Sequence, residues 1–154
     1  GVSWRSGKLN VQRSWSYFQF HELAPLLETP GVTFVNLQYD ATHEELDGIR
    51  EETGKELHYW EDLDQYQDLE NLIAMINQLD LVISINNASS RIASALGKES
   101  WLIGKGGGPF ALGQSRVPFF TSTVVWNSSN TPDRDAQIRE VAAGLERKVN
   151  QGRG

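Results

Sequence analysis

The chain has 154 residues, 39% of them hydrophobic, and a formal net charge of −6, which supplies the apolar material for one domain with a real core and no excess for a second. It has no cysteine, so disulfides and thiolate metal sites are excluded, and its acidic balance argues against a nucleic-acid backbone as partner. No stretch approaches the roughly 18 consecutive apolar residues of a membrane span, no signal-peptide pattern opens the chain, and His21, His43 and His58 show no metal-ligand spacing. The expectation is a water-soluble, cytoplasmic domain with no metal and no transmembrane segment.

In chain order, Gly1 to Trp4 reads as a strand that starts with no preceding turn or cap, as though excised from something longer. His21 to Glu28 is a short helix with Leu23, Leu26 and Leu27 on one side. Thr33 to Leu37 follows the Pro30-Gly31 turn signal and is β-branched and aromatic, a second strand. Thr42 caps a helix that runs to about Thr53, with Glu44 and Glu45 in its first turn and Gly54 ending it. A short strand is expected near Leu57 to Tyr59. Asp68 caps a helix whose Leu69, Leu72, Ile73, Ile76 and Leu79 recur at helical spacing, and Leu81 to Ile85 is a buried strand.

The next helix spans about Ser89 to Leu96 and stops at Gly97. Ser100 to Ile103 is a strand, residues 104 to 118 form a Gly-rich loop, and Thr123 to Trp126 is the last strand. Thr131 and Pro132 supply an N-cap and N1 pair for a final helix with Ile138, Val141, Ala142, Leu145 and Val149 on one stripe. Only residues 151–154 read as a frayed tail, which leaves 1–150 as the domain.

Strands alternating with helices predict an α/β fold, a Rossmann-like three-layer sandwich with a mostly parallel sheet of about six strands and right-handed crossovers. With strand order 3-2-1-4-5-6, the first strand neighbours the Leu81 to Ile85 strand, and the crevice at their carboxyl ends is the expected ligand site. Charge points to the same place. Residues 40–70 hold twelve acids against Arg50 and Lys55, whereas 1–21 carry Arg5, Lys8 and Arg13 with no acid and 81–132 carry Arg91, Lys98, Lys105 and Arg116 against Glu99.

Two stretches carry the chemistry. Around Gly7, Arg5 and Arg13 offer two guanidinium groups that suit a diphosphate. Asn86 to Ser90 lies between strand and helix, where it is either a plain N-cap or a set of N–H groups at the positive end of a helix dipole. Lys105 in the Gly-rich loop is a further phosphate contact candidate, although neither G-x-x-x-x-G-K-[ST] nor G-x-G-x-x-G occurs where it would have to. No Ser/His/Asp set or close carboxylate pair can be assembled for a hydrolase. His58, Trp60, Asp62 and Asp64 read as an acidic turn beside the Asp68 cap, and Tyr39 as a rim aromatic or a ligand contact.

The series GVSWRSG, PLLETPGVTFVNLQYD, DLENLIAMINQLDLVIS, ALGKESWLIG and VPFFTS resembles the C-terminal, donor-binding half of glycosyltransferases with the two-domain GT-B fold. The similarity is to the bacterial heptosyltransferase-like proteins often joined to tetratricopeptide repeats, whose relatives include the O-GlcNAc transferases. It runs in order from about residue 1 to 126. The resemblance implies an inverting, metal-independent transfer from a nucleotide-diphosphate sugar, with no cofactor and with the acceptor domain, which carries the usual base, in an N-terminal half absent from this chain. By position it implies that Arg5, Ser6, Gly7 and Arg13 line the phosphate side, Gln38 and Tyr39 approach the donor, and Asn86, Asn87, Ala88, Ser89 and Ser90 cradle the diphosphate. Val117, Pro118, Phe119, Phe120, Thr121 and Ser122 stand where the family has a Pro-Trp-Tyr-Pro-Ser type sequence. Where relatives read Asp-Thr-Ala-x-x-His-Leu-Ala-Gly-Ala-Leu-Gly, this chain has Asn86 for the acid and Arg91 for the histidine, which removes a carboxylate that would accept hydrogen bonds from sugar hydroxyls and adds charge near a diphosphate. A degenerate, non-catalytic binding module of the same fold is the alternative expectation.

Overall fold

The computed structural model describes residues 1–6, 17–104, 112, 114–126 and 133–152. The chain forms strand β1 (Val2–Ser3), a 3₁₀ turn (Phe20–Leu23) leading into helix α1 (Ala24–Leu27), β2 (Phe34–Val35), α2 (His43–Thr53), β3 (Leu57–His58) and α3 (Leu69–Gln78). There follow β4 (Val82–Ser84), α4 (Ala88–Ala95), β5 (Ser100–Leu102), β6 (Arg116–Val117), β7 (Phe120–Val125) and α5 (Arg134–Gln151). β1, β4, β5 and β7 are parallel neighbours in a five-stranded sheet of order β1-β4-β5-β7-β6, with β6 antiparallel at the edge. β2 and β3 form a parallel pair that joins β1 through a single bridge between Val2 and Asn36. The arrangement is α/β, with a mostly parallel sheet, and is compatible with a Rossmann-like sandwich.

Alternation along the strands assigns the two faces. Val2, Trp4, Ile83, Ile85, Trp101 and Ile103 point to one side and bury against Leu26, Leu27 and Ile49 of α1 and α2 and Ile138, Val141 and Leu145 of α5. Val82 points to the other, against Leu72 and Ile76 of α3 and Ala93 of α4. Each fully buried Ile or Leu here contributes roughly 1.5–3 kcal/mol relative to exposure, and the helices on both faces explain why β4 is apolar at nearly every position.

The helix ends follow from capping chemistry. Thr42 Oγ1 accepts from Glu45 N at 3.2 Å while Glu45 Oε2 accepts from Thr42 N at 3.0 Å, a reciprocal capping box. α2 stops at Gly54, whose φ of 65° is the left-handed conformation that glycine tolerates. Asp68 caps α3 by accepting from Asn71 N at 3.1 Å.

Three expectations need correction, and the helix after the last strand starts at Arg134, capped by Asp133, whose Oδ1 accepts from Asp135 N and Ala136 N at 3.0 and 3.2 Å, a carboxylate at the dipole's positive end. Thr131 and Pro132 themselves lie outside the described residues. The segment 104–118 ends in β6, because the turn at Pro118-Phe119 folds Val117 back on Phe120 and buries it against Leu102 and Val125; the last strand accordingly begins at Phe120, not Thr123. His21 to Glu28 is not one helix but a 3₁₀ turn followed by α1, with Pro25 at the start of α1, where its missing N–H costs nothing. Gln151, expected in the tail, is the last residue of α5.

Candidate functional site

At the carboxyl ends of β1 and β4 the sequence places small polar residues, and the structure joins them into one network. Asn87 is the N-cap of α4: its Oδ1 accepts from Ser90 N at 3.2 Å and from Ser84 Oγ at 3.0 Å, while Ser90 Oγ accepts from Asn87 N at 3.0 Å. Asn87 Nδ2 donates to Ser3 Oγ at 2.7 Å and to Arg5 O at 3.4 Å, crossing from β4 to the end of β1. Ser89 Oγ reaches Leu37 O at 3.4 Å. Ser89 and Ser90 are buried, Asn86 and Asn87 are half-buried, and Ala88 is exposed. With Ser90 N taken by the cap, the N–H groups of Ala88 and Ser89 are those of the first turn that have no partner within the helix. They lie where the α4 dipole presents its positive end.

Gln38 is the second hub. It is 1% exposed. Its Oε1 accepts from Ser3 Oγ, Trp4 N and Arg5 N at 3.0, 3.0 and 2.9 Å, and its Nε2 donates to Asp40. Asn36 holds its backbone from both sides, accepting from Gln38 N at 2.9 Å and donating to Gln38 O at 3.2 Å. The side chain therefore fixes the path of the chain leaving β1. The physical reason is that two backbone N–H groups leaving a strand must find acceptors when buried.

Arg5 was expected to face a phosphate. In the structure its guanidinium binds Glu45 in bidentate fashion through Nη1 and Nη2, with the Nη2 contact at 2.8 Å, and reaches Asp40 O at 2.8 Å and Asp40 Oδ1 at 3.2 Å. Burial disfavours the Arg5 charge, but the hydrogen bonds to Glu45 and the charges of Asp40 and Glu45 outweigh it and raise its pKa. Burial likewise favours neutral Glu45, yet Arg5 and the Thr42 N–H hold its carboxyl below the ordinary carboxylate range. Glu45 thus serves two structures at once, the capping box and the Arg5 clamp. Its position three residues after Thr42 signals the first role in the sequence; nothing local signals the second.

Arg91, one turn into α4, donates from Nε to Asn86 Oδ1 at 2.9 Å, and burial lowers its pKa. Tyr39 is 45% exposed and stands against Tyr66 with ring centroids 5.3 Å apart; burial first, and then the Asp40 charge, raise its pKa. Ser6 is half-buried. Gly7, Arg13 and Lys105 lie outside the described residues. The structure thus brings Arg5, Ser6, Gln38 and Asn86 to Arg91 to one end of the sheet, with Tyr39 one strand further out.

A pocket of about 300 Å³ opens beside this crevice, at the carboxyl ends of β2 and β3, with Tyr39, His43, Tyr59, Trp60 and Gln65 in its wall. The sequence read Trp60 only as part of an acidic turn. The signal that could have found the pocket is the set of three aromatic residues placed directly after two adjacent parallel strands. Among the described residues, no group of three or more His, Asp or Glu could hold a metal ion, and no helix is long and apolar enough to cross a membrane.

Over 122 residues, 79% of the chain, the sequence is 37% identical to Protein FlbA of Caulobacter vibrioides, and the chain spans about a fifth (20%) of the length of that curated relative. No protein-family model and no solved structure matches the chain.

Proposed function

We propose that the chain is the nucleotide-sugar-binding domain of an inverting, metal-independent glycosyltransferase of the GT-B type. The observation that carries this reading is the N-terminus of α4 at the junction of β1 and β4, where Asn87, Ser84 and Ser90 make the cap and the N–H groups of Ala88 and Ser89 have no partner within the helix. Ligands of open parallel sheets bind outside the carboxyl ends of the strands where the order reverses, and here that point has β2 and β3 on one side and β4 on the other. The N–H groups of Ala88 and Ser89 suit the oxygens of a diphosphate, and Arg91 stands one turn further on. In transfer, the sugar's anomeric C–O bond breaks with its electron pair passing to the diphosphate, and these donors stabilise the charge that develops there.

Arg5 is available to the same anion only if it leaves Glu45 and Asp40. A diphosphate, with more charge than either carboxylate, is the group that draws it away. The acceptor site and the base belong, in this reading, to another part of a longer polypeptide, as suits a chain matching about a fifth of FlbA. Hexosyl or heptosyl transfer in the cytoplasm, where nucleotide sugars are made, is the proposed setting.

The test is calorimetric titration with UDP, ADP, GDP and dTDP in the presence of a chelator. One of the four is expected to bind, and Arg91→Ala is expected to weaken it about tenfold or more; heat-free titrations with all four would remove the reading. A second reading, a degenerate module that binds without catalysing, is favoured by Asn86 in place of the family acid and by the closed Arg5 clamp. It predicts binding without donor hydrolysis when the domain is assayed within the longer protein, whereas an enzyme hydrolyses donor slowly even without acceptor.

A further inference from the structure

The geometry points to a second binding site, for a neutral sugar ring, in the pocket at the carboxyl ends of β2 and β3. This inference rests on the pocket itself and not on the nucleotide reading. The cavity of about 300 Å³ lies at the small end of ligand sites, the size of a monosaccharide and too small for a nucleotide diphosphate.

Its rim leaves two large aromatics in water, Tyr39 at 45% and Trp60 at 50% exposure, with Tyr59 beside them. Single exposed aromatics are ordinary; three around one concavity need an occupant with an apolar face. A pyranose presents such a face of C–H groups to an aromatic ring and directs its hydroxyls sideways.

The polar part of the wall is complementary to hydroxyl donors. Gln65 Nε2 donates to Asn36 O at 2.9 Å, which fixes the amide's orientation, and its Oε1 is buried with no hydrogen-bond partner among the described residues. Glu61 adds a carboxylate acceptor, and Tyr59 Oη sits 3.2 Å from His43 Nδ1, a pair able to donate or accept. Among the described residues no Lys or Arg lines the cavity, whereas Glu61 does, so phosphates and other anions are disfavoured there. The ligand class is therefore a neutral polyhydroxylated ring.

The experiment is a titration of the 154-residue chain, labelled with nitrogen-15, with glucose, galactose and N-acetylglucosamine, followed at the Trp60 indole N–H and the Tyr59 and Glu61 amides. At least one sugar is expected to shift these signals saturably while the amides of Ala88 to Ser90 stay in place. Trp60→Ala, at an exposed position, is expected to melt as the parent does and to weaken that sugar about tenfold, and Tyr59→Phe weakens it less. The proposal is overturned if no sugar moves Trp60, if Trp60→Ala binds sugar as the parent does, or if uridine, adenosine or tetramethylammonium moves Trp60 more strongly than every sugar. A nucleoside diphosphate acting at residues 86–91 without any sugar effect would leave the glycosyltransferase reading standing and end this one.

Discussion

The two halves of the sheet's carboxyl end are finished in opposite ways. Where β1 meets β4, side-chain polar groups are spent on one another: Gln38 takes three donors, Asn87 bridges Ser3, Ser84 and Ser90, and Arg5 is gripped by Glu45 and Asp40. Where β2 meets β3, aromatic rings stand half in water around a cavity whose wall also carries Glu61 and the Tyr59–His43 pair. The first region is pre-organised, so a ligand meets positioned N–H groups and pays little to order them. The second keeps its polar capacity for what arrives. Substitutions in the first should therefore cost stability, and substitutions in the second should cost binding alone.

The largest effect is expected at Gln38. Gln38→Ala leaves three donors without their acceptor in a fully buried position and should destabilise the chain by about 4 kcal/mol, read as a fall in the urea midpoint at constant m. Asn87→Ala removes the α4 cap and its bridge to β1, with an expected cost of about 2.5 kcal/mol; a loss below about 0.5 kcal/mol at either position would erase the contrast between the two regions.

The Arg5 clamp is partly buried, with side-chain exposures of 16% for Arg5 and 21% for Glu45, which puts Glu45→Gln at about 1.5 kcal/mol, between surface and buried pairs. It also carries a pH signature. The folded-state pKa of Glu45 lies below its ordinary value of 4.5, so the stabilisation is complete above that value and is lost as pH falls through the lower folded value. The difference in stability between parent and Glu45→Gln should therefore be constant near neutrality and shrink below about pH 4.5. A difference that grew on acidification would contradict the clamp. The same variant leaves Arg5 held by Asp40 alone and should strengthen nucleoside diphosphate binding, measured by calorimetry. The smallest stability effect is expected in the aromatic pocket, where Trp60→Ala should shift stability by less than about 0.5 kcal/mol.

Much of the fold was legible in the sequence because its signals are local. Thr42, Glu45 and Gly54 bound α2, Asp68 starts α3, and the apolar run before Asn86 is β4, each through chemistry confined to a few neighbours. The adjacency of β1 and β4 was also readable, from the alternation of strands and helices. What was not legible is tertiary. Gln38 looks like a polar residue past a strand, and only the meeting of β1 with the β2 end turns it into a buried hub. Arg5 looks like a free cation until α2 brings Glu45 against it. β6 was hidden because a two-residue edge strand carries almost no pattern of its own and exists through its pairing with β7.

The central claim is that the α4 N-terminus at the junction of β1 and β4 receives a nucleoside diphosphate. It is tested most directly by following the backbone amides of Ala88, Ser89 and Ser90 in nitrogen-15 spectra while UDP, ADP, GDP and dTDP are each added with a chelator present. Saturable downfield movement of these amides with one nucleotide, reduced by Arg91→Ala, is the expected result. Amides that stay fixed with all four nucleotides, or movement confined to the aromatic pocket, would contradict it.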